Sequence, residues 1–166
     1  MGSIKTTIYL FSLLLLLALV VLSCGKKEIA VAPTPHFVFG TSYANCLSNC
    51  DRYYAVRDGH VYRANGEYNP GPLVLDNAAL PSPKSEIATK LLQDLPAYLL
   101  SHPDQTFGCP DCHDQGAIHI EYVPDMSSDP PYITKWDIDT DTAAIPVEIR
   151  KYAWQVMNTI SELEKF

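Results

Sequence analysis

Residues 8–22 (IYLFSLLLLLALVVL) form an almost unbroken apolar run, and it divides the chain before any fold can be considered. As a helix, such a run rises about 22 Å, short of the roughly 30 Å of a bilayer's hydrocarbon core. Lys5 is the only charge ahead of it, and the small residues Ser23, Cys24 and Gly25 follow. A charged start, a short apolar stretch and small residues at its end form the pattern of a secretory signal rather than a lasting membrane span. Residues 1–23 therefore read as an address, and only the rest has to fold.

The end of the run carries more information. Val21-Leu22-Ser23-Cys24 resembles the bacterial lipobox, with an aliphatic residue at −3, a small one at −1 and Cys at +1. The resemblance implies a diacylglyceryl group on the Cys24 thiol, cleavage before that residue and acylation of the new amino terminus. Several acyl chains anchor stably where one alone is marginal. Met1-Gly2 with Thr6 fits a myristoylation pattern, but it leads straight into the apolar run, which favours the export reading. Lys26-Lys27 is too short for a lipid-binding basic cluster.

The whole chain has 166 residues, a length that suits one domain. Its net charge of −7 argues against a nucleic-acid partner, because phosphate binding needs a basic surface. Its 47% hydrophobic content is inflated by the signal, and the remainder has an ordinary globular composition. Residues 24–35, the lipidated Cys and GKKEIAVAPTP, read as a tether without apolar periodicity. Residues 36–166 are then a single domain.

Within that domain, residues 36–43 (HFVFGTSY) are expected to form a first strand. Residues 52–57 (RYYAVR) and 60–63 (HVYR) flank Asp58-Gly59, the turn that a type I′ hairpin needs. After a loop over residues 65–81, Ser82-Pro83 opens a helix with Ser82 as its N-cap. Its expected apolar stripe is Ile87, Leu91, Leu95, Tyr98 and Leu99. Pro96 should break it near Asp94 and Leu95, with its end by His102. Residues 117–123 (AIHIEYV) and 132–139 (YITKWDID) alternate as an antiparallel pair. His119 and Glu121 lie on one face of the first, and Lys135, Asp137 and Asp139 share a face of the second. Residues 146–165 carry Ile149, Tyr152, Val156, Ile160 and Leu163 at helical spacing. Hairpin, helix, hairpin, helix predicts an α+β two-layer sandwich: an antiparallel sheet of two hairpins with two helices packed on one face.

Once Cys24 is assigned to lipid, Cys46, Cys50, Cys109 and Cys112 remain. An even number in an exported domain reads as disulfides, with three possible connectivities. Pairs within each motif close tiny loops, while cross-pairs close loops of about 60 residues and contribute on the order of 4 kcal/mol in the chain-entropy model. At least one cross-pair is therefore expected. The same four thiols suit a tetrahedral zinc site, although an oxidising exterior disfavours it. Cys109-Pro110-Asp111-Cys112-His113 also matches C-x-x-C-H, which would make His113 a haem ligand. A thioredoxin-like dithiol would need a helix to start after the first cysteine, and here a strand follows.

Asp137, Asp139, Asp141 and Glu148 stand at positions 1, 3, 5 and 12 of an EF-hand-like window. Thr142 replaces the glycine its sharp turn requires, and Pro146 falls inside it. A solvated strand face followed by a helix start accounts for the same residues. His36, His60, His102 and His119 are scattered, and His119 with Glu121 reads as surface. Tyr53, Tyr54, Tyr62 and Tyr68 gather around the first hairpin and read as packing.

The C-x-x-x-C at Cys46 and Cys50 ahead of a hairpin, with GCPDCHDQGA (residues 108–117) ahead of a strand, resembles a family of small bacterial lipoproteins of uncharacterised activity. The likeness spans roughly residues 40–140 and implies a location and no activity. It does not require a His after the second cysteine of GCPDC, which weakens the haem reading. The expected protein is a lipid-anchored envelope module on the outer membrane, periplasmic or surface-facing. It works by binding or as structure, without enzymatic activity or a cofactor. Its partners are the membrane, through Cys24, and an unidentified protein or small-molecule ligand. The alternatives are a periplasmic redox or haem electron carrier using Cys109, Cys112 and His113, and a calcium-dependent module using residues 137–148.

Overall fold

Period-two alternation and the Asp58-Gly59 turn set the sheet, and the computed structural model shows where each strand goes. It describes residues 36–43, 50–65, 74–124, 132–141, 143 and 145–165. The signal, Cys24, the tether, Cys46 and Tyr68 lie outside the described residues. By contacts the chain separates into Met1–Ala32 and Pro33–Phe166, and every described element belongs to the second unit.

Seven strands form one sheet: β1 (His36–Ser42), β2 (Arg52–Arg57), β3 (His60–Asn65), β4 (Val74–Leu75), β5 (Thr106–Phe107), β6 (Ala117–Tyr122) and β7 (Thr134–Asp139). Their order is β4-β3-β2-β1-β6-β7-β5. Only β5 with β7 is parallel; the other neighbours are antiparallel. Among the described residues, three helices pack with the sheet: α1 (Ser82–Gln93), α2 (Ala97–Ser101) and α3 (Val147–Glu164). The α+β class stands. The sheet is larger than two hairpins because β1 lies between them and pairs with both β2 and β6.

The hairpin turn has φ of 52° at Asp58 and 73° at Gly59, the left-handed pair that type I′ demands. Phe37, Phe39, Tyr54, Val56, Ile118, Ile120, Trp136 and Ile138 project from one sheet face into a single apolar cluster with all three helices. Helix α3 buries all five residues of its expected stripe. Each such large side chain stabilises the fold by about 1.5–3 kcal/mol on burial.

Helix α1 departs from expectation. Its N-cap is Pro81, and its buried residues are Ser85, Ala88 and Leu91, while Ile87 is exposed. The small residues allow close approach to β3. Val61 N–H donates to Ser85 Oγ at 3.1 Å, and Leu80 N–H donates to the Val61 carbonyl at 2.8 Å. Ladder positions that the two-residue β4 does not reach are satisfied this way. The break at Pro96 occurs as expected: α1 ends at Gln93 and Pro96 is the N-cap of α2. Lys84 of α1 donates to the Leu163 carbonyl at 2.7 Å, placing a cation at the negative end of the α3 dipole. No helix among the described residues is long and apolar enough to cross a membrane.

Candidate functional site

The polar chemistry of the domain collects on the sheet face away from the helices, along β6 and β7. Alternation turns Ile118 and Ile120 into the core and Ala117, His119 and Glu121 the other way. The register then sets Glu121 opposite Lys135, His119 opposite Asp137, and Ala117 opposite Asp139. Three cross-strand pairs, two of them between complementary polar side chains, thus form a ladder on one face.

His119 and Glu121 are buried, at 3% and 7% exposure, not on the surface as expected. His119 Nδ1 lies 2.6 Å from Asp137 Oδ1, and its Nε2 lies 3.4 Å from Glu121 Oε1. Lys135 Nζ reaches the same Glu121 oxygen at 2.6 Å. Burial acts to keep the imidazole neutral. Hydrogen bonds to Asp137 and Glu121, with their charges, outweigh burial and raise its pKa above the usual histidine value. A carboxylate at each ring nitrogen favours the protonated ring and leaves His119 poorly placed as a general base. Beside it, the Tyr53 ring meets His119 edge-on, with 6.2 Å between centroids. That ring lies over Gly40, where a Cβ would fall 2.3 Å from Tyr53 Cδ1. Only glycine fits there.

The cysteine motif sits at the end of this ladder. Cys109 and Cys112 are joined as a disulfide with their Cα atoms 5.5 Å apart. Cys50 is disulfide-bonded as well, and not to either of these. The expected cross-pair involving Cys109 or Cys112 is therefore replaced by a local link. The physical reason is the loop itself, which folds back on its own residues. Cys112 N–H donates to the Cys109 carbonyl at 3.2 Å, and Gly116 N–H donates to Asp111 Oδ1 at 2.9 Å. Asp111 and Asp114 take left-handed φ of 59° and 58°, which aspartate tolerates better than most residues. In the chain-entropy model so short a link contributes about 2 kcal/mol, well below a 60-residue closure.

Asp139 is the floor of the loop. Its Oδ2 accepts Cys109 N–H at 2.9 Å, and its Oδ1 accepts from Gln115 Nε2 at 3.1 Å and Asp141 N–H at 2.8 Å. Burial alone would raise its pKa. These hydrogen bonds, with the charge of His113, outweigh burial and hold the carboxyl below its usual range. Gly108, at φ +80°, leads into the loop, and a Cβ there would meet Asp139 Cβ at 2.5 Å. Glycine therefore lets the chain cross directly over the carboxylate.

The other proposed ligands fare differently. Asp137 is engaged by His119 and Asp139 by the loop, while Glu148 is exposed in the first turn of α3. Thr142 lies outside the described residues. No group of three or more His, Cys, Asp or Glu among the described residues is placed to hold a metal ion. The EF-hand spacing is thus not matched by convergence of its four carboxylates. In the disulfide state seen here, Cys109 and Cys112 are bonded to each other and offer neither thiolates for zinc nor free thiols for haem thioethers. His113 lies on a turn rather than a helix, exposed, with its N–H on Gln115 Oε1 at 2.6 Å. The sequence signal for the buried ladder was present: complementary charges fall opposite each other once β6 and β7 are paired. Comparison with family models and with curated proteins finds no match to this chain.

Proposed function

We propose that this protein is an exported bacterial lipoprotein, anchored through acyl chains on Cys24 in the cell envelope, at the outer membrane. Its domain, residues 36–166, is a binding module. We read the domain as a two-layer sandwich in which the hairpins β2–β3 and β6–β7 flank β1 and carry α1 and α3 on one face. The observation that carries the proposal is Val21-Leu22-Ser23-Cys24 at the end of a 15-residue apolar run. The Cys109–Cys112 disulfide supports it, because such links persist in oxidising compartments outside the cytosol. The exposed face of the disulfide loop, with His113, Asp114 and the half-exposed Asp137 nearby, offers polar groups held in fixed positions for a protein or small-molecule partner.

Metabolic labelling with a radioactive fatty acid tests the anchor in a bacterium that expresses the full chain. Label is expected on the wild-type protein in the membrane fraction and absent from Cys24→Ser. A wild-type protein that matures without label would contradict the proposal.

A further inference from the structure

We propose that Cys109–Cys112 is a thiol–disulfide exchange centre that accepts two electrons from a dithiol partner. The proposal stands on the loop alone and does not depend on the lipid anchor. Both cysteines are exposed, so an incoming thiolate can reach the sulfurs without unfolding the domain. Exposed disulfides are the labile and catalytic ones, whereas structural ones resist reduction.

The loop also keeps its shape without the sulfur–sulfur bond. Cys109 N–H is held on Asp139, Gln115 bridges Asp139 and the Cys109 carbonyl, and Thr140 Oγ1 donates to the Gln115 carbonyl at 2.9 Å. Asp111 closes the far side by accepting from Gly116. At the two ends, Phe107 on β5 and Ala117 on β6 are buried in the sheet. A bond that closes a four-residue loop already fixed by hydrogen bonds has little structural work to do.

The direction of exchange follows from the charges around the loop. A thiolate left on Cys109 would form on the residue whose own amide lies against the Asp139 carboxylate, a like-charge arrangement. One left on Cys112 adjoins His113 instead. The partner's first thiolate therefore attacks Cys109 Sγ, and the Sγ–Sγ bond breaks. Cys112 departs as a thiolate and takes up a proton. The partner's second thiolate then attacks the partner sulfur of the mixed disulfide and releases Cys109 as a thiolate, which is protonated in turn. The partner dithiol is oxidised to a disulfide, losing two electrons and two protons, and Cys109 and Cys112 gain them.

The full-length chain in detergent, equilibrated with glutathione buffers, tests this by alkylation, peptide mass mapping and near-ultraviolet circular dichroism. Cys109 and Cys112 are expected to become alkylatable while the tertiary signal of the folded domain is unchanged. Cys109→Ser should take glutathione from its disulfide onto Cys112 roughly tenfold faster than Cys112→Ser takes it onto Cys109, because the thiolate that leaves more readily is also the one that forms more readily. Loss of the tertiary signal on reduction, or alkylation only after denaturation, would overturn the proposal. Equal or reversed capture would overturn the assigned order of attack. The wild-type arm needs no variant, so a misfolded mutant leaves the test intact.

Discussion

Cys109 and Asp139, thirty positions apart, are joined by a 2.9 Å hydrogen bond from the Cys109 amide to the Asp139 carboxylate. Through this contact β7 carries the disulfide loop. Asp139 also accepts from Gln115 and Asp141, so its carboxylate receives three donors.

Replacing Asp139 with Asn turns one acceptor oxygen into a donor facing N–H groups. A loss of about 1–3 kcal/mol is expected in urea unfolding, the cost of a buried polar group left unsatisfied. The pH dependence has a definite sign. The folded pKa of Asp139 is depressed, so its stabilisation is present above the unfolded value of about 3.9 and is lost as pH falls through the folded one. Thermal melts in acid should show a smaller decline for Asp139→Asn than for wild type. Parallel declines would show that the carboxylate does not anchor the loop.

His119 works in the opposite direction. Its folded pKa is raised by Asp137 and Glu121 against the effect of burial. Its stabilisation is therefore complete below the unfolded value of about 6.5 and is lost as pH rises through the folded one. Melting temperatures measured from about pH 6 to about pH 9 should fall in the wild type and stay flatter in His119→Gln. An unchanged slope in the variant would assign the pH dependence to other groups.

Gly40→Ala tests the packing between Tyr53 and His119. The added methyl would meet the Tyr53 ring at 2.3 Å and the Arg52 carbonyl oxygen at 2.4 Å, and the carbonyl belongs to a paired strand. A destabilisation of about 1–3 kcal/mol is expected in chemical denaturation, as for other overpacked sites. Wild-type stability would mean that Tyr53 does not lie over Gly40.

Much of the fold was legible where local chemistry decides it. Asp58-Gly59 required a left-handed pair and has one. The stripe Ile149, Tyr152, Val156, Ile160, Leu163 on α3 was readable because large apolar residues face the core. Helix α1 departs from its expected stripe at Ile87 for the converse reason: its contact with β3 uses Ser85 and Ala88, where hydrophobicity points to Ile87. Leu91 and, in α2, Leu99 face the core as expected. The two-residue strands β4 and β5 are too short to show a period. The central place of β1 is a matter of partners, which no single strand's pattern encodes. At the site, the residue types of the ladder were visible, but the burial of His119 and Glu121 depends on β6 lying between β1 and β7. The loop that holds the local cysteine link also hydrogen-bonds to Asp139, thirty residues downstream, a partner that the spacing of the cysteines does not show.

The most direct test of the account is the intact mass of the mature protein extracted from a bacterial membrane. The account predicts a chain beginning at Cys24, heavier by a diacylglyceryl group and an amide-linked acyl chain, and lighter by two hydrogens for each disulfide. A mature chain that retains residues 1–23, or one that begins elsewhere without lipid, would contradict it.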